Sequence, residues 1–98
     1  MLGKYREFEW DGFNSGKNLQ KHGVSDLEIE QVFGNPYVII RHKRFPDRRI
    51  VLGMTYGGRY LFSPVQHLSE TRCRPIHARD MEKHEKQAYL KAIGSKRR

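Results

Sequence analysis

The sequence predicts a small α+β domain, on three observations. Apolar, β-branched runs recur after residue 36 and are separated by turn residues, the pattern of an antiparallel meander. Two helix signatures precede that block and one follows it. The chain has 98 residues, enough for one domain with one modest core and no cofactor domain. Helices segregated from a meander sheet make the class α+β, with two N-terminal helices and one C-terminal helix.

Each element has a local reason. Phe8-Glu9-Trp10 alternates apolar and polar and reads as a short strand. Asp11 or Asn14 caps a first helix that runs to about His22, where Gly23 stops it. Ser25-Asp26-Leu27-Glu28 has the spacing of a capping box. The helix it opens turns Leu27, Val32 and Phe33 inward and ends near Gly34-Asn35-Pro36. Three strands follow at residues 37–40, 49–55 and 60–62. Phe45-Pro46-Asp47 turns the first into the second, and Gly57-Gly58 signals a two-residue hairpin between the second and third. A fourth stretch, residues 71–78, alternates Arg72, Arg74 and Ile76 against Cys73, Pro75 and His77. Pro75 has no N–H to donate, so this strand is bulged there or lies at an edge. Asp80 caps the last helix, which carries Met81, Ala88, Tyr89 and Ala92 on one face and stops at Gly94. Residues 94–98 form a basic tail expected to fray.

Charge is unevenly spread. Residues 1–35 carry four Lys/Arg against six Asp/Glu, and residues 36–98 carry fifteen against five, so −2 and +10 give the overall +8. Basic charge concentrated in one part of a small domain suits a polyanionic partner, because phosphate contacts release counterions. Many of these charges are Arg within strands rather than Lys on a helix face, which points to nucleic acid; solvated surface charge is the alternative. No apolar run approaches the ~18 residues of a membrane span, and the N-terminus lacks the apolar core of a signal peptide. Cys73 is the single cysteine, which excludes an internal disulfide and cysteine-rich zinc sites. A reducing cytoplasm is therefore the expected compartment, with no membrane partner and no cofactor.

The basic strands carry the candidate chemistry. Arg72 and Arg74 are two apart on a strand and share a face. Few carboxylates lie near them in sequence, so an open face is expected. Guanidinium groups grip phosphate bidentately and stabilise charge on a phosphorane-like transition state. Arg48 and Arg49 open the second long strand, and Arg59 follows the Gly57-Gly58 turn. Arg48 is also placed to pair with Asp47 or Glu70. His42, His67 and His77 stand at the ends of basic strands, where imidazole can move a proton at neutral pH. Cleavage of RNA by its own 2′-hydroxyl needs a base for that hydroxyl and an acid for the leaving 5′-oxygen. His42 and His77 are candidates, and each also fits a structural role. His22, before a helix-stopping Gly, suits the helix C-terminus, and His84 is expected to be solvated. No H-x-x-x-H pair supports a metal site.

Taken in order, these residues resemble a known family. Phe8-Glu9-Trp10-Asp11, Asn18, Lys21-His22-Gly23-Val24, Val32-Phe33 and Asn35-Pro36 look like the N-terminal signature of the BrnT toxins. His42, six residues before Arg48 and eleven before Gly53, is similar to that family's His-Ser…Glu-x-Arg…Gly segment. Gly58-Arg59 resembles its hairpin, Arg72-x-Arg74 with Ile76-His77-Ala78-Arg79 its Arg-x-Arg…Ile-Ser-Ala-Arg ending, and Glu85 with Tyr89 its closing helix. The resemblance spans residues 8–89.

It implies a RelE-like fold and a type II toxin–antitoxin system. The toxin would be a metal-independent endoribonuclease that arrests translation by cutting mRNA, free or on the ribosome. A ribbon-helix-helix antitoxin would neutralise it, and operator DNA would be met only through that antitoxin. Carried onto this chain, His42 or His77 would handle protons. Arg48, Arg72, Arg74 and Arg79 would hold and stabilise the phosphate, and Lys43, Arg49 and Arg59 would bind RNA. The sequence departs from the family at Lys43 and His77, where the family has serine. Ser63-Pro64 and Pro75 are expected to interrupt strands, with residues 63–71 as a long loop. Two rival functions remain: a non-catalytic RNA- or ribosome-binding module, and an inactive relative that serves as an antitoxin-binding corepressor.

Overall fold

A computed structural model describes residues 5–96. Among them the elements run β1 (Glu7–Phe8), α1 (Lys17–His22), α2 (Asp26–Val32), β2 (Val38–Arg41), β3 (Arg48–Met54), β4 (Tyr60–His67), β5 (Arg72–Pro75), β6 (Arg79–Asp80) and α3 (Lys83–Lys96). The class is α+β, as the alternating patterns predict. The sheet is not a plain meander. Six strands pair in the order β1-β5-β4-β3-β2, with β6 also on β4, and β1 runs parallel to β5. Sequence could not show this pairing, because it joins the N-terminal segment to a strand more than sixty residues away.

The core lies between one sheet face and the first two helices. Ile29 and Val32 of α2 pack with Val24 on Val51, Leu61, Val65 and Cys73, and Tyr5, Phe8, Phe33 and Tyr37 close the β1 side. Gly53 lets α2 approach this closely, since a Cβ there would sit 2.3 Å from Val32 Cγ1. α3 crosses the other face near β2 and β3. There the ring of Tyr89 meets that of Tyr60 at 5.9 Å.

Several local expectations are met and several corrected. Ser25 and Glu28 form both halves of the capping box, and Gly23 ends α1 in the left-handed conformation. Leu27 does not point inward; it is 64% exposed, and Ile29 takes the core position. α1 is shorter than expected. Asp11 Oδ1 accepts from Phe13 N and Asn14 Oδ1 from Asp11 N, so these residues build a turn instead of a cap, and the helix begins after Gly16. The Gly57-Gly58 hairpin has a three-residue loop. Thr55 N donates to Arg59 O, Gly58 N donates to Thr55 O, and Gly58 has φ 90°, the form of a type I turn closed by a bulge. Asp80 lies in β6, Met81 precedes α3, and Gly94 is inside that helix. Arg97 and Arg98 of the expected tail lie outside the described residues.

Pro64 breaks no ladder, whereas β5 ends at Pro75 and a bulge follows it, as the proline predicts. β4 continues through Ser63-Pro64 to His67, so the long loop expected at 63–71 is strand for its first five residues. The Pro64 carbonyl accepts from both Ile76 N and His77 N (3.1 and 3.4 Å). N and C=O of one strand residue point to the same side. The missing donor of Pro64 therefore faces a β-bulge, where four residues (76–79) follow the Val65↔Pro75 pair but three (62–64) precede it, the next pair being Phe62↔Arg79. Pro75 turns its nitrogen away from β4, toward a point where β1 has already ended. Two buried asparagines satisfy the disturbed backbone. Asn14 Nδ2 donates to Pro75 O (2.9 Å), and Asn18 Oδ1 accepts from Ala78 N (3.1 Å).

Candidate nucleic-acid site on the open sheet face

Strand register gathers a row of side chains on the α3 face of the sheet. Arg48 pairs with Gln66, and Gln66 pairs with Arg74. His42 N donates to Arg48 O (3.3 Å), which extends the β2–β3 register by one residue. The row is thus His42, Arg48, Gln66, Arg74. With strands ~4.8 Å apart, Arg48 and Arg74 have backbones about 10 Å apart, close enough for two guanidinium groups to converge on a phosphodiester. α3 leaves this end open: Arg72 and Ile40 are exposed, and Arg48, Gln66 and Arg74 are half-exposed.

The row is anchored from its rim. Gln66 Nε2 donates to Asp47 Oδ2 (3.1 Å). A carboxylate only accepts, so the amide nitrogen must face it and Oε1 is turned from it. The Arg48 guanidinium lies 4.3 Å over the Phe45 ring, a cation–π contact that fixes its direction. His42 Nδ1 accepts from Arg44 N and Phe45 N (3.1 and 3.3 Å). The neutral ring therefore carries its proton on Nε2. In this conformation His42 offers a hydrogen-bond donor and holds the turn.

Arg72 and Arg74 are not free, which corrects the expectation that carboxylates are scarce near them. The parallel strand β1 and the segment that follows it bring three. Arg74 makes two bonds to Asp11 (2.7 and 3.1 Å) and lies 3.5 Å from Glu9; Arg72 lies 3.5 Å from Glu7 and 3.7 Å from Glu9. The Arg74 bonds, then the Phe13 amide, hold the Asp11 carboxyl below its ordinary range.

The other candidates are dispersed. Arg79 shares the face but sits opposite Phe62, four residues along β4 from Gln66, or about 13 Å. Its guanidinium packs 3.9 Å over the Phe62 ring and makes two 2.9 Å bonds to Glu85, which depress the Glu85 carboxyl. His77 turns toward α1, where its ring meets His22 edge-on at 4.8 Å. Burial, then His22, Arg79 and Lys21, lowers its basicity. Arg49 is one residue out of phase with Arg48 and binds Pro46 O and Arg48 O. Arg59 is a structural cross-link: it bonds Asp80, Glu28, His22 O and Gly23 O. Lys43 is exposed in the turn beside His42. His67 bonds the Tyr5 hydroxyl through Nδ1, and His84 is exposed beside Glu82.

One group among the described residues has metal-ligand spacing, Glu82, His84 and Glu85 at the start of α3. Glu85 there is committed to Arg79 and to Glu82 N, and the group is not part of the row.

Sequence reading missed Glu9, Asp11 and Gln66. Gln66 was legible: it continues the alternation Tyr60, Phe62, Pro64, and only the assumption that Pro64 ends the strand hid it. Glu9 and Asp11 carried no local signal, because a parallel partner is not visible in a single sequence.

Residues 10–85 match the family model described as ribonuclease toxin, BrnT, of type II toxin–antitoxin system. No curated protein aligns significantly with the chain.

Proposed function

The chain belongs to the BrnT family of ribonuclease toxins of type II toxin–antitoxin systems, and from that premise we propose that its own open sheet face cuts RNA without a metal ion. The observation that carries the reading is the register-aligned row His42, Arg48, Gln66, Arg74 on a face that α3 leaves open. Arg48, Arg72 and Arg74 bind the scissile phosphate and offset the charge that grows on it as the 2′-oxygen attacks. The 2′-oxygen–phosphorus bond forms, the bond to the 5′-oxygen breaks, and a 2′,3′-cyclic phosphate is left. His42 donates a hydrogen bond from its Nε2–H to a phosphate oxygen. Lys43, beside it, extends the positive rim along the strand.

The family also implies an antitoxin partner and an RNA substrate. We propose a RelE-like toxin of the cytoplasm that arrests translation, with a ribbon-helix-helix antitoxin through which the complex reaches operator DNA. One observation favours a rival. The carboxylates of Glu7, Glu9 and Asp11 already occupy the guanidinium groups of Arg72 and Arg74, as they would in a relative that has lost cleavage and acts as a corepressor.

Incubation with total RNA in EDTA separates the two, beside an Arg72→Ala/Arg74→Ala variant. The pairs lost in that variant are partly exposed, so the fold is kept to within ~1 kcal/mol for each pair. Cleavage by the parent alone, with cyclic phosphate ends, is the expected result. Absence of cleavage with tight antitoxin binding and no growth arrest would establish the corepressor.

A further inference from the structure

The row contains no free base. His42 spends the Nδ1 lone pair on the turn, and His77 faces α1. A proton acceptor for the 2′-hydroxyl must come from elsewhere, within reach of the phosphate-binding arginines.

Asp47, beside Arg48, is engaged by Gln66 Nε2 at 3.1 Å and touches neither Arg72 nor Arg74; three carboxylates lie against that arginine pair, and their geometry distinguishes them. Asp11 is committed: its two oxygens accept from Arg74 at 2.7 and 3.1 Å, and one also accepts from Phe13 N. Glu7 reaches Arg72 alone, at the rim of the sheet. Glu9 stands between both arginines, 3.7 Å from Arg72 and 3.5 Å from Arg74. Both distances exceed those of a well-made hydrogen bond, so its oxygens keep lone pairs available. Its backbone is fixed, with N donating to Cys73 O (3.0 Å) and O accepting from Asn14 Nδ2 (2.9 Å). The charged groups around it are Arg72 and Arg74 from β5 and Glu7 and Asp11 from its own segment.

We propose that Glu9 is a catalytic residue, the general base that takes the 2′-hydroxyl proton. The role rests on the ribonuclease reading above. A guanidinium that holds a phosphate oxygen on one side and Glu9 on the other places the carboxylate beside the ribose of the bound nucleotide. The 2′-O–H bond breaks and its proton passes to a Glu9 oxygen. The oxygen–phosphorus bond forms, the bond to the 5′-oxygen breaks, and that oxygen takes a proton from solvent water. Arg72 and Arg74 stay bound to the phosphorane throughout.

The test compares parent and E9Q, checked for folding by circular dichroism, in single-turnover cleavage of RNA. Binding is measured on DNA of the same sequence, which carries the phosphates but no 2′-hydroxyl to attack. E9Q is expected to cleave about 10²- to 10⁴-fold more slowly, the usual worth of a general base. Its affinity for the DNA should equal or exceed the parent's, because a negative charge has left the phosphate site. A substrate whose leaving group is p-nitrophenoxide needs no acid, so it should leave the E9Q defect in place; recovery of rate on it would make Glu9 the acid and overturn the assignment. Equal cleavage by parent and E9Q would overturn it while the ribonuclease reading stands. A parent that cleaves no RNA would defeat the reading itself, and the base with it.

Discussion

Replacing Arg59 tests whether a basic residue that looks like a phosphate contact in sequence is instead a structural cross-link. Its guanidinium bonds the last two carbonyls of the α1 end, His22 O at 3.1 Å and Gly23 O at 2.7 Å, and grips Asp80 at 2.6 and 3.2 Å. Glu28, the capping-box residue of α2, lies 3.4 Å away. One side chain thus ties α1, α2, the β3–β4 hairpin and β6. The Asp80 carboxylate is 64% exposed, so that pair is worth at most about 1 kcal/mol. The bonds to the two carbonyls add about 1 kcal/mol, since those groups regain water when the guanidinium is removed. Arg59→Ala should therefore lose about 2 kcal/mol, which for a domain of this size lowers Tm by roughly 8–16 °C. Arg59→Lys keeps the charge but not the fork, and should lose a similar amount. Urea unfolding gives the stability, and RNA affinity is read at a temperature where every variant is folded. Stability within 0.5 kcal/mol of the parent, about the ordinary effect of a surface substitution, together with weakened RNA binding, would refute the structural assignment.

Gly53→Ala should cost about 1–3 kcal/mol, because the new methyl would meet Val32 Cγ1 at 2.3 Å and overpack the α2–β3 contact; chemical denaturation measures it. Asp11→Asn keeps the turn but releases Arg74 from its strongest partner. RNA affinity by fluorescence anisotropy should rise about two- to fivefold, the equivalent of a surface ion pair worth 0.4–1 kcal/mol. His77 gives a pH signature. Burial, then His22, Arg79 and Lys21, lowers its pKa in the folded chain below the unfolded value of about 6.5. Its stabilising contribution is complete above that unfolded value and is lost as pH falls from there through the folded pKa. Between pH 7.5 and 5.5 the Tm of His77→Gln should fall less than that of the parent.

The parts of the fold that local chemistry decides were legible. The Ser25/Glu28 capping box and the Gly23 stop follow from a few neighbouring residues, and the structure forms both. The Arg72/Arg74 alternation likewise puts both on one face. The failures share a cause, which is that a tertiary partner changed the meaning of a local signal. Pro64 reads as a strand breaker, yet it turns its missing donor to a bulge and β4 runs on to His67. Leu27 looks like a core residue of α2, but the β3 approach at Gly53 selects the face that carries Ile29 and Val32. The helix expected from Asp11 shortened because Asn14 is needed elsewhere, on Glu9 O and Pro75 O. His42 and His77 both looked able to move protons. The hydrogen bonds of a turn and the contact with His22, neither visible in sequence, placed them in different surroundings.

Net charge gives a coarser picture of the site than its pairs do. The acidic N-terminal third and the basic remainder look like opposite poles, but β1 folds the first onto the second. Arg72 and Arg74 meet Glu7, Glu9 and Asp11; Arg59 meets Glu28 and Asp80; Arg79 meets Glu85. In the row itself Arg48 has a different setting, with Phe45 beneath it while Asp47 serves Gln66. On the proposed function a phosphate would meet Arg48 first, without displacing a carboxylate. It would gain Arg72 and Arg74 only by exchanging with partners that already supply charge-assisted contacts. Such an exchange lowers affinity for any polyanion. Its cost is smallest for a ligand that uses the displaced carboxylate, which is what a ribose 2′-hydroxyl beside Glu9 would do and a deoxyribose could not. If Glu9 is the base proposed above, the acidic N-terminal segment would make the face selective for RNA by weakening every other contact, and the pole-to-pole charge in the sequence would be the trace of that arrangement.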